Sequence, residues 1–211
     1  MKHLFLLATL AAALPLPCMA QPHAAVLPDS GAAALRQVQA YLNGLHTLTG
    51  HFLQIGPDGG TSTGTFWLAR PGRMRFQYDP PSQLLLVAGH GLVVFHDGKL
   101  DQTTNIPMGE TPLGLLLRDT TTLTGDVTVT DFQTPPGQIQ VTLVKTKSPG
   151  DGSLALRLNA NPLALIGWSV VDNQGRETRV RLTSVIAGGE FPASLFSYID
   201  MNALSPNGNN P

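Results

Sequence analysis

The sequence predicts a mainly β (α+β) fold, an open and strongly curved antiparallel β-barrel, and three observations carry that prediction. Roughly ten β-type runs follow one another in series, most of them joined by hairpin-length turns rich in glycine, proline, asparagine and aspartate. Several runs alternate strictly between apolar and polar residues, as a strand does when one face is covered. Only two segments carry a helical pattern, and a meander of this length curls into a barrel or half-barrel.

The first twenty residues read as a targeting segment. Lys2 and His3 form a short n-region, residues 4–14 an apolar h-region, and Cys18-Met19-Ala20 a cleavage site with Gln21 as the mature start. An h-region this short does not span a membrane as a stable helix. The rival reading makes Cys18 a lipidation cysteine, against which Pro17 stands where a small residue is expected. Cleavage after Ala20 leaves no cysteine, which excludes thiol and disulfide chemistry. Residues 21–29, rich in alanine and proline, are expected to be a mobile lead-in, followed by a single domain over residues 30–201.

Ser30 is placed to cap a helix over residues 32–43, in which Leu35, Val38 and Leu42 recur at helical spacing and Gly44 supplies the stop. Residues 45–55 favour a strand, and Pro57-Asp58-Gly59-Gly60 turns the chain into a second one carrying Phe66 and Trp67. Pro71-Gly72 is a tight corner. After it Met74, Phe76 and Tyr78 share one face while Arg75 and Gln77 share the other. Residues 84–88 and 92–96 form the next hairpin, and Asp97-Gly98 leads into a strand at 99–106. Thr111-Pro112 then reads as a cap and first helical residue for a short, nearly all-apolar helix over 113–118, which must lie on another apolar surface. Strands resume at 126–132, 138–145, 154–159, 165–172 and 177–186, and the polar tail at 202–211 is expected to be disordered.

Of the 211 residues, 42% are hydrophobic and 13% charged, with 13 lysines and arginines against 14 acidic residues. No net basic field exists to hold nucleic acid or anionic headgroups, so nucleic acid is excluded as a partner. Gly60-Thr61-Ser62-Thr63-Gly64 matches the letters of a nucleophile elbow, but a turn precedes Ser62 and a β-run follows, where an elbow needs a strand and then a helix. His46, His51, His90 and His96 lie at strand and hairpin ends with no partner at metal-ligand spacing, so no metal and no cofactor is expected.

The run Gly64-Thr65-Phe66-Trp67-Leu68-Ala69-Arg70-Pro71, continued by Met74-Arg75-Phe76-Gln77-Tyr78-Asp79-Pro80-Pro81, resembles the signature of the LolA family, periplasmic carriers of outer-membrane lipoproteins. The order of the later hairpins and of Thr111-Pro112-Leu113 is similar too, so the resemblance covers most of the mature chain. It implies a non-enzymatic carrier that takes the acyl chains of lipoproteins from an inner-membrane ABC-type release complex to an outer-membrane acceptor, and a monomer is expected because a carrier must dock its mouth to successive partners. It also implies a helical lid over an apolar cavity. Arg70, by its residues alone a solvated turn arginine with five donors, becomes under the resemblance the latch that ties barrel to lid. Trp67, Leu68, Met74, Phe76 and Tyr78, core by residue type, become cavity lining together with Leu84, Leu86, Leu92 and Val94. Leu35, Val38 and Leu42 of the first helix, with Leu113, Leu115, Leu116 and Leu117 of the second, would form the lid.

Two departures stand out. Family carriers finish with a Phe-x-Phe strand and a proline-glycine segment, where this chain has Leu195-Phe196-Ser197-Tyr198-Ile199, and Met74 and Phe76 replace bulkier aromatics. The alternative reading is therefore a periplasmic lipid- or glycolipid-binding or sensing module on the same fold, and a hydrolase would rest on Ser62 alone.

Overall fold

The computed structural model describes residues 22–26 and 29–198. The targeting segment, the Ser30 side chain and the tail lie outside the described residues. An α-helix, α1 (Asp29–Gly44), leads into β1 (Thr47–Ile55), β2 (Thr61–Ala69), β3 (Arg73–Tyr78), β4 (Leu84–Gly89), β5 (Leu92–Asp97) and β6 (Gln102–Pro107). Two short 3₁₀ turns, Met108–Glu110 and Pro112–Leu115, come next. The second half runs through β7 (Val127–Gln133), β8 (Gln138–Lys145), β9 (Gly152–Ala160), β10 (Leu163–Asp172) and β11 (Glu177–Ala187), and a 3₁₀ turn at Ala193–Phe196 follows.

All eleven strands form one antiparallel sheet in the order β6-β5-β4-β3-β2-β1-β11-β10-β9-β8-β7. The chain therefore meanders outward from β1 to one edge, crosses to the opposite edge at β7, and meanders back until β11 pairs with β1. Residues 108–126, between the two edge strands, make that crossing. The sheet bends where the ladder slips, between Thr49 and His51 in β1, between Val129 and Asp131 in β7 and between Leu165 and Gly167 in β10. Turn chemistry fixes the hairpins. Asp58 Oδ1 accepts from the Gly60 N–H, and the β4–β5 hairpin turns through His90 and Gly91 at φ of 51° and 80°.

Alternation puts the core on the concave face. Phe66, Phe76, Leu86 and Phe95 are successive cross-strand partners from β2 to β5 and so share that face. Phe52, Tyr78 and Trp168 join them, with Phe76 at the centre: its ring lies 4.5 Å from Phe52 and 5.8 Å from both Phe66 and Trp168. Gly64 is required here, since a Cβ would sit 2.1 Å from the Gln77 carbonyl oxygen and 2.7 Å from the Phe52 ring. That packing accounts for the second glycine of the elbow-like run, while Ser62 lies within β2 opposite Gln54.

Three expectations need correction. The second helix is only the 3₁₀ turn Pro112–Leu115, although Thr111 does cap it by accepting from the Gly114 N–H. Leu115, Leu116 and Leu117 are all buried, so no helix face is left for solvent. The lead-in is not free: the Ala25 N–H donates to the Val129 carbonyl at 2.8 Å, and Ala25 packs against the core. Third, Trp67, Leu92 and Val94 face away from the concave side.

The convex face is not bare either. Residues after β11 cross its outside, where Arg75 Nη1 donates to the Leu195 carbonyl, the Arg73 guanidinium lies 5.5 Å from the centre of the Phe196 ring, and Tyr198 Oη is 2.9 Å from His96 Nδ1. The divergent end of the chain thus serves as a strap over β3, β4 and β5.

Candidate functional site

Arg70 leaves β2 at the corner and turns inward, where it is only 7% exposed. Its own N–H donates to the His46 carbonyl at 2.8 Å, which fixes the backbone beside the end of α1. The guanidinium then serves both parts of the roof. Nε donates to the Arg118 carbonyl at 2.8 Å, and Nη2 donates to that same oxygen, to the Asp119 carbonyl at 3.3 Å and to Thr121 Oγ1 at 2.9 Å. Nη1 donates to the Leu45 carbonyl, 3.3 Å away and one residue past α1. Burial lowers the guanidinium pKa, with the Asp119 carboxylate acting in the opposite direction.

The crossing segment is also fastened to α1 directly. Asn43 Oδ1 accepts from the Thr121 N–H at 2.8 Å while Asn43 Nδ2 donates to the Thr121 carbonyl, and Gln39 Oε1 accepts from the Leu123 N–H at 2.9 Å. At the corner the Gly72 N–H donates to the Leu117 carbonyl at 2.8 Å. The Leu117 and Arg118 carbonyls, which the end of a helix over 113–118 leaves without an internal partner, are thus taken by Gly72 and Arg70. Val38 and Leu42 of α1 and Leu115 to Leu117 of the crossing segment are buried against the core, with Leu35 and Leu113 half-buried beside them.

Beneath the crossing segment the concave face leaves an apolar hollow of about 400 Å³. Met74, Phe76, Tyr78 and Leu86 of the expected lining wall it, together with Val93, Phe95, Ile106, Leu113, Trp168, Val170 and Val180. Leu68 faces the same way but is wholly buried, and Leu84 packs on the core from the end of β4. Trp67, Leu92 and Val94 stand on the opposite, convex face, because Trp67 is the partner of Arg75 and Val94 the partner of Val87. Strand parity could have shown this for Trp67. A tight corner that pairs Leu68 with Met74 and Phe66 with Phe76 leaves Trp67 no place inside.

Polar groups are few. Gln54, Thr111, Arg176 and Thr178 complete the wall. Tyr78 Oη donates to Gln54 Oε1 at 2.9 Å, and burial raises the phenol to about 12. A second cleft of about 450 Å³ lies at the hairpin ends between Thr61, Asp79, Gln83 and Lys99, but its wall is largely polar turn. The apolar hollow is the candidate site, because the aromatic cluster and the Arg70-tied roof converge on it. Among the described residues no cluster of histidine, cysteine and carboxylate could hold a metal, and no helix is long and apolar enough to cross a membrane.

Residues 43–199 match the family model described as outer membrane lipoprotein carrier protein LolA. The chain belongs to the LolA family. An outer-membrane lipoprotein carrier protein of Legionella pneumophila (strain Paris) is 31% identical over 169 residues, 76% of this chain and 83% of the relative. One from Leptothrix cholodnii is 31% identical over 191 residues, 86% of this chain and 87% of the relative. Among solved structures, a LolA superfamily protein from Nitrosomonas europaea superposes with a TM-score of 0.43 at 8% identity, covering 77% of this chain and 97% of that one. The LolA model spans the Arg-Pro corner, all eleven strands and the crossing segment.

Proposed function

We propose that this protein is a periplasmic carrier that shelters the acyl chains of lipoproteins between the inner and the outer membrane. The observation that carries the reading is the apolar hollow beneath the crossing segment, which one buried arginine ties to the sheet and to the end of α1, in a chain of the LolA family. Each buried CH₂ contributes roughly 0.8 kcal/mol, so acylated proteins leave a bilayer at a useful rate only if another apolar environment receives them. The hollow offers that environment, and no catalytic step is needed.

A methylene takes about the room of a water molecule, roughly 30 Å³ in the liquid. The hollow as it stands accommodates on the order of a dozen methylenes, about one fatty chain. Cargo with more chains has to displace the roof, which happens only if it binds the open form better than the closed one. Arg70 sets that balance: its bonds hold the empty roof shut, and a cargo that fills the space beneath offsets their loss. The cargo would come from an ABC-type release complex in the inner membrane and pass to an outer-membrane acceptor, with the carrier acting as a monomer.

The decisive experiment is depletion of the protein followed by fractionation of lipoproteins between the two membranes. Accumulation in the inner membrane is expected. Normal sorting would favour the second reading, a lipid- or glycolipid-binding or sensing module, which the one-chain size of the hollow also supports. Mass spectrometry of lipid that copurifies separates the two by the presence of acylated peptide.

A further inference from the structure

The two edges of the sheet are treated differently. At β7 the lead-in lies along the edge, with the Ala25 N–H bonded to the Val129 carbonyl. At β6 nothing comparable occurs among the described residues, and all six residues Gln102–Pro107 are exposed and uncharged. An edge without charge, bulge or cover is a template for another strand.

The phase of the ladder identifies the free groups. The Met108 N–H donates to the Gly91 carbonyl, so by antiparallel alternation Ile106, Thr104 and Gln102 also bond to β5. Thr103 and Asn105 then turn their N–H and C=O groups outward. Pro107 falls in that same outward phase, where the missing N–H is not needed by β5. Thr103 and Asn105 thus present donors and acceptors in a row, and from the convex side the Thr103 hydroxyl meets Tyr198 Oη at 3.2 Å.

β6 is also the rim of the hollow, since Ile106 and its neighbour Phe95 both line it. A polypeptide joined to an acyl chain in the hollow would start within reach of this edge. We propose that the free edge of β6 binds the cargo's own backbone, taking the extended segment that follows the acylated residue as an added strand. Pairing through main-chain groups is tolerant of sequence, which suits a carrier of many cargoes. Tethering by the acyl chain supplies the high effective concentration that so short a ladder needs. The inference rests on the carrier reading above.

The test uses the full chain and two probes, a synthetic peptide of about ten residues bearing a diacylglyceryl group on its N-terminal cysteine, and diacylglycerol alone. Hydrogen exchange should slow about tenfold at the Thr103 and Asn105 amides with the lipopeptide, change little at Gln102, Thr104 and Ile106, and not respond at Thr103 or Asn105 to diacylglycerol. Asn105→Pro, which removes one outward donor and no bond to β5, should weaken lipopeptide binding about three- to tenfold and leave diacylglycerol binding unchanged, whereas Asn105→Ala should match wild type. Lipopeptide binding with no slowing at Thr103 and Asn105 overturns the strand site and leaves the carrier reading intact. Protection of both amides in the free protein overturns it as well, since the edge is then already occupied. If neither probe binds, the carrier reading falls and the strand site with it.

Discussion

The Nε–H of Arg70 points at the carbonyl oxygen of Arg118, 2.8 Å away, and through that bond the sheet holds the segment that crosses its open side. The same guanidinium reaches Leu45 at the end of α1, so one side chain connects three parts of the fold. Arg70→Leu removes these donors and leaves the Arg118 and Asp119 carbonyls and the Thr121 hydroxyl without their charged partner. A loss of roughly 2–4 kcal/mol in urea unfolding is expected, together with faster amide exchange across residues 118–123. In a transfer assay the variant should take up cargo and release it to the acceptor more slowly than wild type. Release at the wild-type rate would refute the latch.

Filling the hollow should separate binding from stability. Leu86 is half-buried in the wall, so Leu86→Trp adds bulk where there is space. Affinity for a fluorescent fatty acid should fall at least about tenfold, with a melting temperature no lower than wild type. Trp67→Leu, on the other face, should leave that affinity unchanged.

Gly64 tests the packing. The Cβ of Gly64→Ala meets the Gln77 carbonyl and the Phe52 ring, neither of which has room to yield. A cost of about 1–3 kcal/mol is expected from denaturant melts. Ser62→Ala in the same strand should stay within about 0.5 kcal/mol and abolish no activity, because Ser62 lies in a strand rather than at an elbow.

Tyr78 predicts a loss of stability in alkali. Burial raises its phenol from 10.0 to about 12, so the unfolded chain gives up this proton before the folded one. The stability it contributes is intact below pH 10 and is lost as the pH rises through 12, by roughly 2–3 kcal/mol at the limit. Tyr78→Phe should flatten the fall in urea midpoint between pH 9 and 11.

What was legible in the sequence was local. The hairpins and the facing of Met74, Phe76 and Tyr78 follow from period-two alternation between turn residues, and the Arg-Pro corner follows from its letters. Facing was illegible in β5, where Leu92, Val93, Val94 and Phe95 are all apolar. The reason lies on the outside: the strap that carries Phe196 and Tyr198 half-covers the convex face, so alternation has nothing to record there. The leucine run at 113–117 reads as a helix because propensity is counted along the chain, whereas Leu115 to Leu117 are buried on a core built from residues distant in sequence. The pairing of β11 with β1 joins residues far apart in sequence, and no short-range pattern encodes it. Trp168 escapes the sequence reading for that reason, since only the β11–β1 pairing brings β10 to the cluster, and Phe95 escapes it because β5 does not alternate.

Since among the described residues the ladder stops at β6 on one side and at β7 on the other, the sheet is a strip rather than a ring. A ring of bonded strands has its girth set by strand number and stagger. A strip rolls tighter or looser with every rung intact, so the girth of this molecule is an elastic quantity, governed by the span that bridges its gap. Letting out that span would change the diameter at nearly constant secondary structure. Small-angle scattering would register the change, and circular dichroism would be blind to it.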